Sequence, residues 1–207
     1  MKVPNVDSPE ITDAVCKQKT GKTLKQWFEG FDKAGGLERG RRELTNSVHE
    51  QVNKDAWWAT TLAVEYERAR GQVEKDGKPT GYSMCSTKTI AAPLDRVFAA
   101  FGEPKQLDNW FGPKNKVSFK DGGGFENGDG DKGTFKRIRA LKDIRFSWEH
   151  PTLGPGTAVE VLFADKGKGK TGITLNHTRI QSRREADQIR ESWSAAFESL
   201  KRFIESA

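Results

Sequence analysis

The chain has 207 residues, a length that fits one large domain or two small ones. Only 34% of the residues are hydrophobic, although twelve Phe and six Trp supply bulk for a core. No run approaches the roughly 20 apolar residues that cross a bilayer, and the N-terminal residues show no hydrophobic signal segment. We therefore expect a soluble, cytoplasmic protein with no membrane partner.

Charge and cysteine content argue against two further classes, nucleic-acid-binding proteins and proteins stabilised by zinc or disulfides. The net charge is +6, which would suit a nucleic-acid binder. However, the basic residues cluster in turns such as residues 166–170, and the only dense pair on a predicted helix is Arg183-Arg184. We therefore expect solvated turns and no nucleic-acid partner. Cys16 and Cys85 are isolated, so neither a zinc site nor a disulfide is indicated.

The first part of the chain carries helix signals. Ser8-Pro9-Glu10 places a proline at the first position of a predicted helix. Thr23 and Gln26 form a capping box at the start of a second helix, which ends at Gly35-Gly36. A third helix turns an apolar face inward. These elements predict a small bundle over residues 1–71.

The fourth helix and a linker complete this part. The helix begins near Asp55, presents Trp58, Leu62 and Tyr66 on one stripe, and stops at Gly71. Residues 72–81 are polar, contain Gly and Pro, and are typical of a linker. A bundle of this size buries little surface, so we expect it to depend on the rest of the chain.

Residues 82–207 predict one α+β domain. A helix opens at Pro93 and closes at Gly102, and residues 108–112 suggest a short turn of helix. The last helix, residues 183–206, starts at a capping box of Ser182 and Glu185 and carries a long apolar stripe. Helices on one face of an antiparallel meander fit this order. The predicted strands are residues 82–91, 117–120, 133–140, 144–150, 157–164 and 172–180.

Several motifs in this order resemble the helix-grip fold of the START-like (SRPBCC) superfamily. The strongest similarity is to bacterial homologues of the C-terminal domain of the heat-shock chaperone ATPase activator. The resemblance covers about residues 82–206 and implies a sheet wrapped around a long C-terminal helix with a cavity between them. Its motifs are Ile90-Ala-Ala-Pro-Leu-Asp-Arg-Val-Phe98, Trp110-Phe111, Gly123-Gly124-Phe125, Ile144-Arg-Phe-Ser-Trp148 and Leu175-Asn-His-Thr178.

Residues 20–71 resemble a second, uncharacterised helical family, through Thr20-Gly-Lys-Thr23, Trp27 and Trp57-Trp58. That family occurs in tandem with START-like domains, which agrees with the division into two parts. It implies no chemistry.

Two histidines are candidates for a site on the concave face. Strand alternation places His150 with Phe146 and Trp148, and His177 with Leu175. The first interpretation is a buried structural histidine at the end of each strand; each could instead hold a polar group of a ligand or act as an acid or base. No nucleophile with a visible partner accompanies them, so we name no catalytic residue.

Aromatic residues supply the rest of the candidate site. They either line a cavity between the helix and the sheet or fill it as core, and the sequence does not decide between the two. With the histidines, the predicted ligand-binding residues are Trp110, Phe111, Phe125, Trp148, His150, His177, Trp193 and Phe197.

Two glycine-rich motifs resemble ion or phosphate sites but fail in detail. An EF-hand loop starting at Asn127 would have Lys132 at its glycine position and Ile138 at its glutamate position. Residues 167–171 resemble the end of a P-loop but precede a strand instead of a helix. Both are read as hairpin turns, and we expect neither a metal nor a cofactor.

Three functions remain open. The first is non-catalytic binding of a small hydrophobic or lipid-like ligand in the cavity. The second, implied by the resemblance, is a protein-interaction or chaperone-activator-like module, with a protein partner or a homodimer formed through the N-terminal helices. The activator's separate chaperone-stimulating domain has no visible counterpart here. The third is a cyclase- or hydrolase-type enzyme that uses His150 or His177.

Overall fold

The computed structural model describes residues 1–3, 11–72 and 81–206. It divides into two compact units. Residues 11–72, 81 and 82 form the helical unit, and residues 1–3 and 83–206 form the sheet unit. The sequence predicted a bundle over residues 1–71, a linker over 72–81 and a second domain over 82–207; in the structure, residues 1–3 group with the sheet.

The helical unit consists of α1 (Asp13–Thr20), α2 (Leu24–Lys33), a 3₁₀ turn (Gly36–Arg39), α3 (Gly40–His49) and α4 (Ala56–Ala69). The capping box of Thr23 and Gln26 is confirmed, and Asp55 caps α4 by accepting from two backbone amides. The helix start predicted at residues 8–10 lies outside the described residues; α1 begins at Asp13, after Thr12 as its N-cap. Most of the predicted linker, residues 73–80, is also outside them.

The bundle has a core of its own. Tyr66 packs its ring against Phe31 and Phe28, at centroid distances of 5.1 and 5.6 Å. The buried side chains of this core are Cys16, Trp27, Phe31, Leu44, Val48, Val52, Trp58, Ala59, Leu62, Ala63 and Tyr66.

The sheet unit is built on an antiparallel meander. In the described residues the sheet has seven strands in the order β1-β7-β6-β5-β4-β3-β2. Two short helices, α5 (Leu94–Ala99) and α6 (Pro104–Leu107), follow the first strand. The strands are β1 (Tyr82–Ile90), β2 (Lys116–Val117), β3 (Gly124–Glu126), β4 (Lys132–Arg139), β5 (Asp143–Glu149), β6 (Thr157–Asp165) and β7 (Thr171–Ile180).

In sheet order, the strands from β1 to β4 are long, and those at the other edge, β3 and β2, are short. β6 and β7 share eight paired positions, whereas β2 and β3 share only two. A bulge between Phe135 and Arg137 interrupts the register of β4 against β5, and such bulges bend a strand and increase its twist. The sheet therefore curves next to its weakest edge.

The long helix α7 (Arg183–Glu205) is the second layer of this unit. Ser182 and Glu185 form the predicted capping box, and Glu185 also accepts from the Gly154 amide at 2.8 Å. The apolar stripe is confirmed: Ile189, Trp193 and the other large members of its face are buried. The described residues contain no helix that is long and apolar enough to cross a membrane.

Two local predictions were wrong. Residues 108–111 form turns, and the short helix lies just before them, at α6. β3 was not predicted as a strand, because its three residues begin within a run of three glycines and give too short a pattern to recognise. The two glycine-rich motifs do lie in hairpin turns, between β3 and β4 and between β6 and β7.

Candidate functional site

A cavity of about 30 Å³ lies between the curved sheet and α7. Strand alternation on β4 and β5 supplies three of its ten lining residues, because every second residue of these strands points to the concave face. Its lining is wholly apolar: Phe101, Leu107, Trp110, Phe111, Val117, Phe125, Phe135, Ile144, Phe146 and Trp193.

The aromatic rings fix the cavity by contacting one another. Phe111 stacks on Trp193 at 5.8 Å between ring centroids and meets Phe125 edge-on at 6.0 Å. Phe125 in turn meets Phe146 at 5.4 Å. Trp110 is held by its indole N–H, which donates to the Ala100 carbonyl at 3.0 Å. One continuous set of rings therefore spans from the sheet to α7.

This packing decides between an open and a filled space. Ligand pockets usually have volumes of about 300–1,000 Å³. The cavity observed has room for only about one or two water molecules. The rings have therefore largely filled the space between sheet and helix, and any larger occupant must move some of them.

Half of the predicted site residues form this wall, and half do not. Trp110, Phe111, Phe125 and Trp193 line the cavity. Among the described residues, Trp148, His177 and Phe197 are buried next to Trp193 but outside the lining. The prediction missed Phe101, Leu107, Val117, Phe135, Ile144 and Phe146 as lining residues, although Ile144 and Phe146 share the alternating face of Trp148.

His177 lies at the centre of a buried aromatic cluster. The Trp193 Nε1–H donates to His177 Nδ1 at 3.1 Å, and the Trp148 ring lies 5.0 Å from the imidazole. Burial of the imidazole lowers the pKa of His177 to about 3. The ring is therefore neutral at physiological pH and cannot supply a proton there as an imidazolium acid.

His150 lies in a different environment, at the end of β5. It is half-buried, its Nδ1 lies 2.8 Å from the Thr152 hydroxyl, and burial lowers its pKa from the ordinary value. It faces an open depression that also contains Asp129, Glu191 and Ser192. The two histidines therefore do not share one pocket, although the Trp148 ring contacts both.

A second, open cleft adjoins the cavity at the short edge of the sheet. Its lining includes Lys116, Ser118 and Glu126, together with Val117 and Phe125, which also line the cavity. Gly133 allows the Phe125 ring to lie here, since a Cβ at that position would come within 2.6 Å of the ring. Phe125 and Val117 thus belong to the walls of both the cavity and the cleft.

The Asn127 side chain holds the turn between β3 and β4. Asn127 Oδ1 accepts from the amides of Asp129 and Asp131, and its Nδ2 donates to the Asp131 carboxylate at 2.7 Å. Across the described ranges, no three His, Cys, Asp or Glu side chains come together as metal ligands.

A curved antiparallel sheet packed against one long C-terminal helix over an apolar cavity defines a START-like, helix-grip protein. The family model of Activator of Hsp90 ATPase homolog 1-like protein matches residues 91–205. The match covers more than half of the chain, and the chain belongs to this family.

Solved structures show the same fold. CalU16 from Micromonospora echinospora is 24% identical, with a TM-score of 0.54 over 59% of this chain and 75% of that chain. PFC0360w, an HSP90 activator from Plasmodium falciparum, is 21% identical, with a TM-score of 0.55 over 61% of this chain and 97% of that chain. The Aha1 dimer from Colwellia psychrerythraea is 15% identical, with a TM-score of 0.53 over 60% of this chain and 96% of that chain. A comparison with curated proteins finds no match.

Proposed function

We propose that the sheet unit binds a small hydrophobic or lipid-like ligand between the sheet and α7, without catalysing a reaction. The observation that carries this proposal is the small cavity between the sheet and α7, whose lining consists of apolar side chains only. Such a wall favours an apolar occupant, because each Å² of apolar surface removed from water contributes about 25 cal/mol.

The ligand enters at the short edge of the sheet. Only two residue pairs join β2 to β3, so this edge has few hydrogen bonds to break. Phe125 and Val117 stand between the open cleft and the cavity. Displacement of the Phe125 ring would join the two spaces and give the volume that a ligand needs.

Ethylbenzene is a suitable first probe because it is apolar and small. We expect saturable shifts of the methyl and aromatic NMR signals of the cavity residues, and a rise in melting temperature with probe concentration. Signals of α1 to α4 should not move. An absence of saturable shifts in the sheet unit would contradict the proposal.

Two matched variants locate the entrance. Val117 lines both the cavity and the cleft, whereas Ser118, the next residue, is exposed and lines only the cleft. Val117→Phe should therefore fill the entrance and weaken ethylbenzene binding about tenfold or more, and Ser118→Phe should have little effect. Equal effects of the two variants would place the entrance elsewhere.

A chaperone-activator-like role is the second candidate, supported by the small volume of the cavity and by the family. The activator from Plasmodium falciparum is matched over nearly its whole length. Stimulation of the ATPase of a purified Hsp90-type chaperone by the full chain would support this role. Surface substitutions such as Leu162→Asp, at one of the exposed leucines, could then locate the contact.

A docking surface or homodimer interface on the N-terminal helices has less support. Such a surface should show exposed aromatic side chains. In residues 11–72, Trp27 and Trp58 are buried, and Phe28 and Trp57 are half-buried. The two large hydrophobic side chains exposed in the described chain, Leu141 and Leu162, lie in the sheet unit.

A further inference from the structure

Two buried side-chain nitrogens next to the cavity have no hydrogen-bond partner among the described residues. They are Nε1 of Trp148 and Nε2 of His177. Both residues are fully buried, with 0% of their surface exposed. Buried polar groups without a partner are rare in native proteins, because each has lost its hydrogen bonds to water without replacement.

Both nitrogens are donors. An indole nitrogen can only donate. His177 Nδ1 accepts the Trp193 N–H, so in the neutral ring the proton must lie on Nε2. Burial keeps the ring neutral, with a pKa of about 3. The missing partner is therefore an acceptor, which excludes ammonium groups and metal cations.

The two donors lie one ring behind the cavity wall. The rings of Trp148 and His177 are 5.0 Å apart between centroids. Trp193, which lines the cavity, is 6.2 Å from Trp148 and 6.5 Å from His177. Because neither donor residue lines the cavity, an occupant must displace part of the Trp193 packing to reach them.

We infer that the ligand of this cavity carries a neutral carbonyl oxygen, which Trp148 and His177 hold by hydrogen bonds. The inference rests on the proposed binding function and narrows the ligand to ketones, esters and amides with an apolar body. A pure hydrocarbon would leave both donors unpaired. A carboxylate would bury a charge that two neutral donors compensate poorly.

Acetophenone and ethylbenzene test this inference, because they have similar shapes and differ mainly in the carbonyl group. The measured quantity is the ratio of their dissociation constants for the full chain, determined by NMR titration. Acetophenone, and not ethylbenzene, should shift the Trp148 indole N–H and His177 Nε2–H signals downfield. Trp148→Phe and His177→Phe should each reduce the relative preference for acetophenone about tenfold.

The variants and probes separate the possible failures. His49→Phe, the same replacement in the helical unit, is the control and should leave the ratio unchanged. If wild type, Trp148→Phe and His177→Phe all give the same ratio, the carbonyl anchor is wrong, while ethylbenzene binding would still support the cavity. If neither probe binds the wild-type chain, the proposed function and the anchor are both wrong. If a variant does not fold, the wild-type chain still tests the carbonyl anchor. The anchor is wrong if bound acetophenone leaves the Trp148 indole N–H and His177 Nε2–H signals unshifted.

Discussion

When the pH falls from 6.5 to 5, the sheet unit should lose stability. Replacing His177 by phenylalanine should abolish most of this loss. In the folded chain, burial lowers the pKa of His177 from 6.5 to about 3. The unfolded chain therefore binds more protons in this window, and the free energy of unfolding falls as the pH falls. Each pH unit below 6.5 costs about 1.4 kcal/mol, so the loss at pH 5 is about 2 kcal/mol. Below about pH 3 both states are protonated and the loss is complete.

Other titrating groups act in separable ways. Burial lowers the pKa of the Met1 amine to about 6, so it titrates in the same window, but it does so in both proteins and cancels in their difference. Burial alone would raise the pKa of Asp143, but Arg139 and Arg137 hold it below the ordinary value of 3.8. Its stabilisation is present above pH 3.8 and disappears only below it, outside the window. His150 acts in the same window as His177, but it is only half-buried, so His150→Phe should flatten the profile less.

Urea unfolding at several pH values, followed by tryptophan fluorescence, measures this effect. Trp148 and Trp193 are fully buried in the sheet unit and report its unfolding. The wild type should lose about 2 kcal/mol between pH 6.5 and pH 5, and His177→Phe should lose much less. Parallel profiles for the two proteins would show that His177 is not buried as a neutral ring.

Three further predictions concern stability. Trp193→Ala should cost about 3–5 kcal/mol because it removes a buried indole, whereas Leu162→Ala, at an exposed position, should cost little; similar melting temperatures for the two would contradict the packing of α7. Ser182→Ala should cost about 1 kcal/mol through loss of the helix cap, and an unchanged stability would refute the capping box. A fragment of residues 1–72 should not melt cooperatively, since it lacks the hydrogen bonds that residues 81 and 82 make to the bundle. A fragment of residues 1–82 should be more stable. A sharp melting transition of the shorter fragment would refute this dependence.

Local signals made much of the fold predictable. The capping boxes at Thr23 and Ser182 depend on residues three positions apart, and the stripe of α7 repeats along one helix. By contrast, β3 is too short to give a periodic pattern, and it is defined by pairing with β4 across a turn. Such pairing is non-local and leaves no signal within a window of sequence.

The sequence predicted which face of the sheet the site residues point to, but not how far each lies from the cavity. Alternation correctly turned Trp148 and His177 toward the concave face, where both are buried. Their position behind Trp193 depends on how rings from β5, β7 and α7 pack together, which strand alternation does not contain. The volume of the cavity depends in the same way on contacts such as Phe111 with Trp193 and Phe125 with Phe146.

The central claim is that the space between the sheet and α7 admits an apolar ligand. A crystal structure of the full chain soaked with ethylbenzene tests it most directly. The account predicts the probe between Phe111, Phe146 and Trp193, with the Phe125 ring displaced toward the cleft. Ring positions unchanged and ethylbenzene absent from this space, or bound only on the surface, would contradict it.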